Sequence, residues 1–408
     1  MRTEAVLRQI EQLEPEMVEA MMRLVRVPAI APESGGDGEQ LKAKELLEIL
    51  NKIGFDSVER FDAEDSRVSS GKRPNIVAVL RGESETEKVW IVTHLDVVPV
   101  GEETFWTVTK PFEPLVRNGR VFGRGCEDNG QSLVASIFAV VGLKRLGIRP
   151  KRTVSLAFVS DEEQGSKFGI QYLIEKVHFG KDDLVVVPDG GNGDGTFIEL
   201  AEKSLLWFRI RTIGKQTHGS LPNKGLNANR IAMQVALAID ERLHRKFPLR
   251  DEFFDVPTST FEPTKRERNV EAVNIVPGED VSYFDCRVLP NYNIDEVVAE
   301  VEAVLAEFKG KTGADFKLEL LSKQSAPKPI EGKTKVVALL KTAIKKARGL
   351  DAYVGGIGGG SCAVFFRKAG IPAVSWSTVD EVAHQANEYS KIENMVSDSK
   401  VFALVALL

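Results

Sequence analysis

The chain has 408 residues, of which 43% are hydrophobic and 28% charged, and a formal net charge of -5. This length exceeds what one hydrophobic core usually holds, so we expect two domains. The mild charge, without a basic stripe or an apolar run long enough to span a bilayer, argues against nucleic-acid and membrane partners. Three scattered cysteines argue against a disulfide framework, and the N-terminal residues lack a secretory pattern, so we predict a cytoplasmic enzyme.

The first half of the chain alternates between helical and strand patterns. Apolar residues recur at helical spacing in 4–26 and 38–54. Later patterns predict strands and helices in the order strand 74–80, strand 88–93, helix 130–147, strand 153–159, helix 167–177 and strand 183–187. Strands that alternate with helices predict an α/β fold with a mixed sheet covered by helices on both faces.

The pattern changes after about residue 203. It predicts strand 203–213, helix 226–246, strands 270–276 and 280–288, helix 294–309 and strand 314–321. This β-α-β-β-α-β order is the ferredoxin-like arrangement. The α/β pattern then resumes with helix 334–349, a Gly-rich turn, helix 361–369, strand 372–377 and a terminal helix. We therefore predict an α/β domain built from 1–202 and 323–408, interrupted by a ferredoxin-like α+β domain at 203–322.

Acids and histidines follow several predicted strands. In open α/β sheets, ligands bind outside the carboxyl ends of the strands. We therefore expect one mouth that collects His94 and Asp96 (THLDVVP), Glu162 and Glu163 (SDEEQG), Asp189 (VPDGG), His384 (EVAHQANE), and Asp128, which precedes a helix in GRGCEDNGQS.

Each of these residues alone is commonly structural or solvated, and we interpret His178 and His244 in that way. The ensemble favours metal chemistry. An Asp two residues after a His can accept the imidazole N–H that is not used for a metal. Adjacent Glu162 and Glu163 offer a metal ligand and a free carboxylate, which are the two roles that a metal-assisted hydrolase needs.

The runs HLDVVP, GRGCEDNGQ, SDEEQG, PDGG and THGSLP, followed by a late single His, resemble one family in combination. It is the family of dinuclear zinc metallopeptidases that includes acetylornithine deacetylase, succinyl-diaminopimelate desuccinylase, glutamate carboxypeptidase and the aminoacylases. The resemblance covers essentially the whole chain. It implies a zinc-exopeptidase-like fold interrupted by a lid that also serves dimerisation, and cleavage of an amide bond in a small N-acyl amino acid or short peptide.

The resemblance also implies two divalent metal ions. His94 and Glu163 or Asp189 would be terminal ligands on separate ions, His384 would complete the second set, and Asp128 would bridge the two. Bridging suits a carboxylate because each of its oxygens can bind one ion. Imidazole and carboxylate are suitable ligands for zinc, and cobalt or manganese could substitute.

Three further roles follow from the resemblance. Glu162 would be the general base that takes a proton from the attacking water and passes it to the leaving amine. Asp96 would support the metal ligand His94. His218, in the THGSLP run, would reach the partner subunit's site to stabilise the oxyanion, which predicts a homodimer. The alternative for His218 is a simple turn histidine.

Substrate contacts are predicted at two positions of the inserted domain. Arg287 and Asn274 resemble substrate-binding residues of the family, and a guanidinium can grip a carboxylate through two parallel hydrogen bonds. The alternatives are that Arg287 pairs with an acid such as Asp285, and that Asn274 caps a turn.

The Gly-rich run 355–360 superficially resembles a dinucleotide-binding loop. It lacks the required context, because no acidic residue follows on a second strand at the expected distance. A loop whose backbone at Gly359 and Gly360 lies beside a substrate fits better than a dinucleotide-binding loop. The family loop often carries an Asp after its glycines, whereas this chain has Ser361 and Cys362, which bears on substrate specificity.

Three functions remain open at this point. One is an N-acyl amino acid deacylase of the acetylornithine or succinyl-diaminopimelate type, and another is a carboxypeptidase or dipeptidase with the same chemistry. No residue separates these two, since an Arg that grips a carboxylate serves both. The third is a metal-binding protein without catalysis, which would be expected to lack a ligand or Glu162, and the chain lacks neither.

Overall fold

The computed structural model describes residues 2–408, without the side chain of residue 85. Contacts divide the chain into two compact units. The first contains the residues up to Leu200, together with Ile330–Val354 and Ser361–Leu408, and the second contains Ala201–Pro329 and Gly355–Gly360. The Gly-rich run therefore belongs to the second unit by its contacts. Within residues 2–408, no helix is long and apolar enough to cross a membrane.

The chain begins with helices and then builds most of the large sheet. The elements are α1 (Arg2–Glu11), α2 (Glu14–Val25), α3 (Gln40–Ile53), β1 (Ser57–Glu64), β2 (Lys72–Leu80), β3 (Ser84–His94), β4 (Leu115–Arg117), β5 (Arg120–Phe122), α4 (Ser132–Arg145), β6 (Arg152–Val159), α5 (Ile170–Lys176), β7 (Leu184–Asn192) and β8 (Phe197–Glu202). The helical spacing of apolar residues over 4–26 corresponds to two helices, α1 and α2. Pro15 lies in the first turn of α2, where its missing N–H costs no helical hydrogen bond, and it favours a new helix start there.

The second unit has its own sheet and two long helices. Its elements are β9 (Ser204–Ile213), β10 (Thr217–His218), α6 (Ala228–Lys246), β11 (Thr260–Arg266), β12 (Ile275–Val276), β13 (Glu279–Val288), α7 (Ile294–Thr312) and β14 (Asp315–Gln324). An antiparallel sheet forms in the order β11-β13-β9-β14. This is the sheet order of a β-α-β-β-α-β unit whose first strand is β9.

The second strand of that sheet is not the one we predicted. The prediction used 270–276, but the sheet strand is β11, and β12 pairs with β10 instead. β11 has the sequence TFEPTKR, lies at the sheet edge and is mostly exposed. Its polar residues and Pro263 leave no alternation of apolar and polar residues that would predict a strand. The apolar residue Val273 in the predicted strand is fully exposed.

Alternate residues of β9 form the core of the second unit. Leu206, Phe208 and Ile210 are buried, as the period of a half-buried strand requires. The ring of Phe208 stacks on that of Phe284 with centroids 4.7 Å apart. Helices α6 and α7 contribute further buried aliphatic residues to the same cluster: Ile231, Val235, Ile239, Leu243, Val297, Val301 and Val304.

The last elements of the chain are α8 (Lys335–Arg348), β15 (Tyr353–Ile357), α9 (Ala363–Lys368), β16 (Ala373–Thr378), β17 (Tyr389–Lys391) and α10 (Ile392–Leu407). All of them belong to the first unit except residues 355–357 of β15. The large sheet has the order β1-β2-β6-β3-β7-β16-β8-β15, in which β6, β3, β7 and β16 are parallel and β1, β2 and β8 pair antiparallel. The predicted mixed α/β sheet is confirmed.

Helices cover both faces of this sheet. On one face, α5 and α9 pack on alternate residues such as Val92, Ala157 and Val187. Helices α4 and α10 pack against each other on the other side, and Ser132–Leu143 of α4 is buried all round, which explains its nearly continuous apolar sequence. Because β6, β3, β7 and β16 are parallel, their carboxyl ends lie at the same edge.

Candidate metal centre

Neighbouring parallel strands bring the predicted residues together at that edge. His94 is the last residue of β3, which lies between β6 and β7. Glu162 and Glu163 follow β6, and Asp189 lies in the second half of β7. His384 follows β16, the next strand in the sheet.

Asp128 lies between the two histidines. Its Oδ1 is 2.8 Å from Nε2 of His94, and its Oδ2 is 3.0 Å from Nε2 of His384. Each carboxylate oxygen therefore faces a different imidazole. The turn that carries Asp128 precedes α4, and the peptide bond from Asp128 to Asn129 is cis.

Each histidine has a second carboxylate nearby. Nε2 of His94 is 3.5 Å from Oδ1 of Asp189, and Nε2 of His384 is 3.3 Å from Oε1 of Glu163. Ligand atoms of His94, Asp128 and Glu163 all lie within 4.8 Å of one another, and so do those of His94, Glu162 and Asp189. These two groupings overlap, so proximity alone does not divide the residues into two ligand sets. The pairwise distances favour Asp189 with His94 and Glu163 with His384.

Asp96 connects His94 to the two glutamates. Its buried carboxylate accepts hydrogen bonds from the backbone N–H groups of Glu162 (3.1 Å) and Glu163 (3.0 Å). Nδ1 of His94 lies 3.0 Å from the backbone oxygen of Asp96 and 3.5 Å from its carboxylate. The imidazole is thus oriented mainly by the main chain of Asp96, while its side chain holds the Glu162–Glu163 turn.

In the part of the chain that the structure describes, the carboxylates of this cluster have histidine neighbours but no Lys or Arg partner. Among the described residues, no Lys or Arg nitrogen lies within 4.0 Å of the carboxylates of Asp128, Glu162, Glu163 or Asp189. Burial, and then the charge of Asp189, raises the pKa of Glu162 well above its ordinary value. Burial likewise raises the pKa of Glu163 to about 7. A raised pKa means that the ionised form of each acid is disfavoured, and a bound cation would offset this cost.

The neighbouring acids raise the pKa values of the two imidazoles, which favours the charged form of each ring. Hydrogen bonds to Asp128 and Glu163 raise the pKa of His384 to about 10. Burial disfavours the charged form of His94, but Asp128 and Asp189 outweigh it and raise the pKa of that imidazole. Burial also opposes ionisation of Asp128, yet His384 and His94 hold its pKa below the ordinary value. Without a metal, the histidines are therefore the partners of these acids.

Two glutamates that the sequence analysis missed support the centre. The buried carboxylate of Glu388 accepts backbone N–H groups of Gly125 (3.0 Å), Glu127 (2.9 Å) and Asp128 (3.1 Å), and it pairs with Arg124 at 2.7 Å. The carboxylate of Glu127 accepts backbone N–H groups from the segment before His384, namely those of Asp380 (2.5 Å), Val382 (2.6 Å) and Ala383 (2.8 Å). Their positions in the sequence could have indicated them, because Glu127 adjoins Asp128 and Glu388 follows His384 by four residues.

The remaining predicted residues lie in the second unit. The ribbon of β10 and β12 brings His218 and Asn274 together, since the Gly219 N–H donates to the Asn274 carbonyl at 2.7 Å. His218 is exposed. Gly359 and Gly360 belong to this unit as well.

Arg287 makes the ion pair that we considered as its alternative role. Its Nε and Nη2 donate to the two oxygens of Asp285 at 2.7 and 3.0 Å. Nη1 donates to the carbonyl of Gly358 at 3.0 Å. The guanidinium of Arg287 is therefore already paired within the second unit.

The chain has sequence relatives that match it over nearly its whole length. An uncharacterized metallohydrolase of Methanocaldococcus jannaschii is 36% identical over 407 residues, which cover 95% of this chain and 98% of that protein. A succinyl-diaminopimelate desuccinylase of Nitratiruptor is 26% identical over 384 residues, which cover 93% of this chain and 96% of that protein.

Solved structures share the fold. The aminopeptidase PepT of Bacillus cereus superposes with a TM-score of 0.75 at 21% identity, covering 96% of this chain and 98% of its own. A Bacillus subtilis dinuclear metal-binding peptidase of the M20 family gives a TM-score of 0.64 at 16% identity, covering 97% and 98%. Residues 90–408 match the description Peptidase family M20/M25/M40. The predicted resemblance is confirmed: the chain belongs to peptidase family M20/M25/M40 and is a metal-dependent hydrolase.

Proposed function

We propose that the protein hydrolyses the amide bond of N-acyl amino acids of the N-acetyl or N-succinyl kind, at a centre with two divalent metal ions. The observation that carries this proposal is the geometry of Asp128, whose two oxygens face Nε2 of His94 and Nε2 of His384 at 2.8 and 3.0 Å. A carboxylate so arranged between two imidazoles suits a bridge between two ions.

The donor set fits two metal ions. His94 and Asp189 would hold one, His384 and Glu163 the other, and Asp128 would contribute to both. The support is chemical, because these half-buried acids have no Lys or Arg partner among the described residues and two cations would neutralise them. Imidazole and carboxylate donors suit zinc, with cobalt or manganese as alternatives that the donor set does not distinguish.

The chain's own residues supply the remaining chemistry. When bound, the ions would activate water and polarise the scissile carbonyl. Glu162 takes the proton from the attacking water and delivers it to the leaving amine nitrogen. The side-chain oxygens of Glu162 accept no hydrogen bond within residues 2–408, which leaves them available for this transfer. Asp96 fixes the backbone of Glu162 through its carboxylate.

The second unit, predicted as residues 203–322, would serve as lid and dimerisation domain. An exposed apolar groove of about 440 Å³ between α6 and the edge strand β11 supports a homodimer; it includes Met233 and Leu237, of which Leu237 is 70% exposed. A second copy would cover these side chains. His218 and Asn274, which lie in the same unit, would then serve the partner's site, and Arg287, Gly359 and Gly360 would contact the substrate. The three cysteines are free and buried, which supports a cytoplasmic location.

A substrate panel tests the proposed reaction. Purified, metal-reconstituted protein is assayed against N-acetyl amino acids, N-succinyl amino acids and dipeptides, with chelated protein as the blank. We expect kcat/KM to be highest for an N-acyl amino acid. A higher value for dipeptides would replace the proposal with a dipeptidase or carboxypeptidase. Tight metal binding without hydrolysis of any substrate would indicate a metal-binding protein.

Subunit mixing tests the shared site. His218→Ala and Glu162→Ala proteins are each expected to be nearly inactive. In mixed dimers, one site would combine an intact Glu162 with an intact His218 from the other subunit, so activity should return in part. Absence of any recovery after confirmed subunit exchange would refute the contribution of His218 across the dimer.

A further inference from the structure

We infer that Glu127 and Glu388 are a pair of positioning residues for the two metal positions, of which Glu127 sets the affinity of one position and Glu388 sets the affinities of both. This inference rests on the proposed two-metal centre. Each glutamate lies within four residues of one predicted ligand in the sequence. Its carboxylate accepts hydrogen bonds from the backbone next to the other predicted ligand. Glu127 precedes Asp128 but binds the segment before His384, and Glu388 follows His384 but binds the turn of Asp128.

The segment of His384 depends on outside contacts for its shape. Glu381, His384 and Asn387 all have positive φ angles, at 59°, 62° and 60°. Residues other than glycine rarely adopt this region, so the surrounding structure must hold them there. The His384 side chain is 56% exposed, so packing around the ring gives it little restraint.

Glu127 supplies that restraint at the entry to the segment. Its two oxygens accept the backbone N–H groups of Asp380, Val382 and Ala383, and Ala383 is the residue directly before His384. Glu127 is buried, and the hydrogen bonds of its carboxylate come from backbone N–H groups of this segment. Its effect should therefore reach the metal through the position of His384.

Glu388 holds the turn that carries Asp128. Its carboxylate accepts the N–H of Asp128 itself, together with those of Gly125 and Glu127, and Arg124 neutralises it. Because Asp128 would contribute to both ions, loss of Glu388 should weaken both positions. Loss of Glu127 should weaken the position of His384 and Glu163 and spare that of His94 and Asp189.

Metal titration of the apoprotein separates these effects. Zinc is titrated in competition with a chromophoric chelator against the unmodified protein, Glu127→Gln and Glu388→Gln. Loss of a group that orients a metal ligand commonly lowers affinity about 10–100-fold. We expect Glu127→Gln to lower one of the two affinities by this factor and leave the other within about threefold, and Glu388→Gln to lower both.

The matched control is Glu199→Gln. Glu199 is a buried glutamate of the same unit that pairs with Arg367 at 2.8 Å, and neither residue is among the proposed metal ligands. This substitution should lower thermal stability without changing either zinc affinity. If Glu127→Gln fails to fold, Glu127→Asp keeps the charge with a shorter reach and should give a smaller, still selective loss.

The outcomes have distinct meanings. Unchanged affinities in folded Glu127→Gln, or equal losses at both positions, would overturn the inference. Failure of the unmodified protein to bind two zinc ions would instead contradict the proposed function, independently of Glu127.

Discussion

The acids of the metal centre and those of the second unit meet different partners. Asp128, Glu162, Glu163 and Asp189 lie close together in the first unit with imidazoles as their only charged neighbours of opposite sign among the described residues. In the second unit, acids pair with arginines on the same strand or on neighbouring strands and helices: Asp285 with Arg287, Asp280 with Arg266, Glu319 with Arg209 and Glu307 with Arg242.

This difference separates charges that serve the fold from charges that serve a ligand. An acid paired with an arginine is neutralised within the chain and needs no ligand. Buried acids without such a partner carry a cost in desolvation and mutual repulsion that a bound cation relieves. The contrast therefore predicts where removal of a charge, or of a metal, has large effects and where it has small ones.

The largest effect is expected from Glu162→Gln. The substitution nearly preserves shape but removes the base, so kcat should fall on the order of 10²–10⁴-fold, the usual contribution of general acid–base catalysis. Metal content, measured by elemental analysis, should stay at two ions per chain. Steady-state kinetics on the best substrate of the panel provides the comparison.

Glu163→Gln is the matched control, because it changes the adjacent residue in the same turn. Glu163 lies 3.3 Å from His384, so its substitution should lower metal content as well as activity. If Glu162→Gln loses metal in step with Glu163→Gln, then Glu162 is a ligand and the assignment of the base is wrong. That result would fit the proximity of Glu162 to His94 and Asp189.

Metal removal is expected to destabilise the first unit more than the second. A ligand that binds only the folded state stabilises it by about 2.7 kcal/mol at 100 times its Kd, and two ions add their effects. Dialysis against a chelator should therefore lower the unfolding temperature, and hydrogen exchange should rise around β3, β6 and β7. Equal protection in loaded and chelated protein would contradict the interpretation that these acids need a cation.

The position of the metal centre in the fold could be predicted from the sequence. Strand ends followed by His94, Glu163 and Asp189 indicated one edge of a sheet, and the structure has them there. β11 escaped prediction because an exposed edge strand has little apolar alternation, and an isolated apolar run at 270–276 imitated a strand.

The long-range partners could not be predicted. Glu388 binds backbone groups about 260 residues earlier in the chain, and Glu127 binds backbone groups about 255 residues later. Spacing in the sequence identifies candidate ligands that follow strands, but it carries no information on which backbone N–H groups converge on a given carboxylate. Those contacts depend on tertiary packing.

The metal-free centre should also make stability fall as pH rises. Asp128 and Glu163 raise the pKa of His384 from 6.5 to about 10, so the stabilisation from its charged form is complete below pH 6.5 and is lost as pH rises through about 10. Burial raises the pKa of Glu163 from 4.5 to about 7, so its ionisation also destabilises the folded chain as pH rises.

Thermal unfolding between pH 5 and 10, with and without metal, measures this slope. The metal-free protein should lose stability across the range, whereas the loaded protein should change less, because the ions keep the acids neutralised at all these values. A metal-free curve that is flat or rises toward pH 10 would show that the cluster does not govern stability in this range.

The smallest effect is expected for an ion pair of the second unit. Nη2 of Arg242 on α6 lies 2.7 Å from Oε1 of Glu307 on α7, with both side chains partly exposed. Such pairs contribute about 0.2–1 kcal/mol and weaken with added salt. Glu307→Gln should therefore lower the free energy of unfolding in urea by no more than this, with a smaller difference in 1 M salt. Zinc affinity should not change. A loss above about 2 kcal/mol would mean that charges in the second unit also bear a large share of stability, and the contrast with the metal centre would then no longer hold.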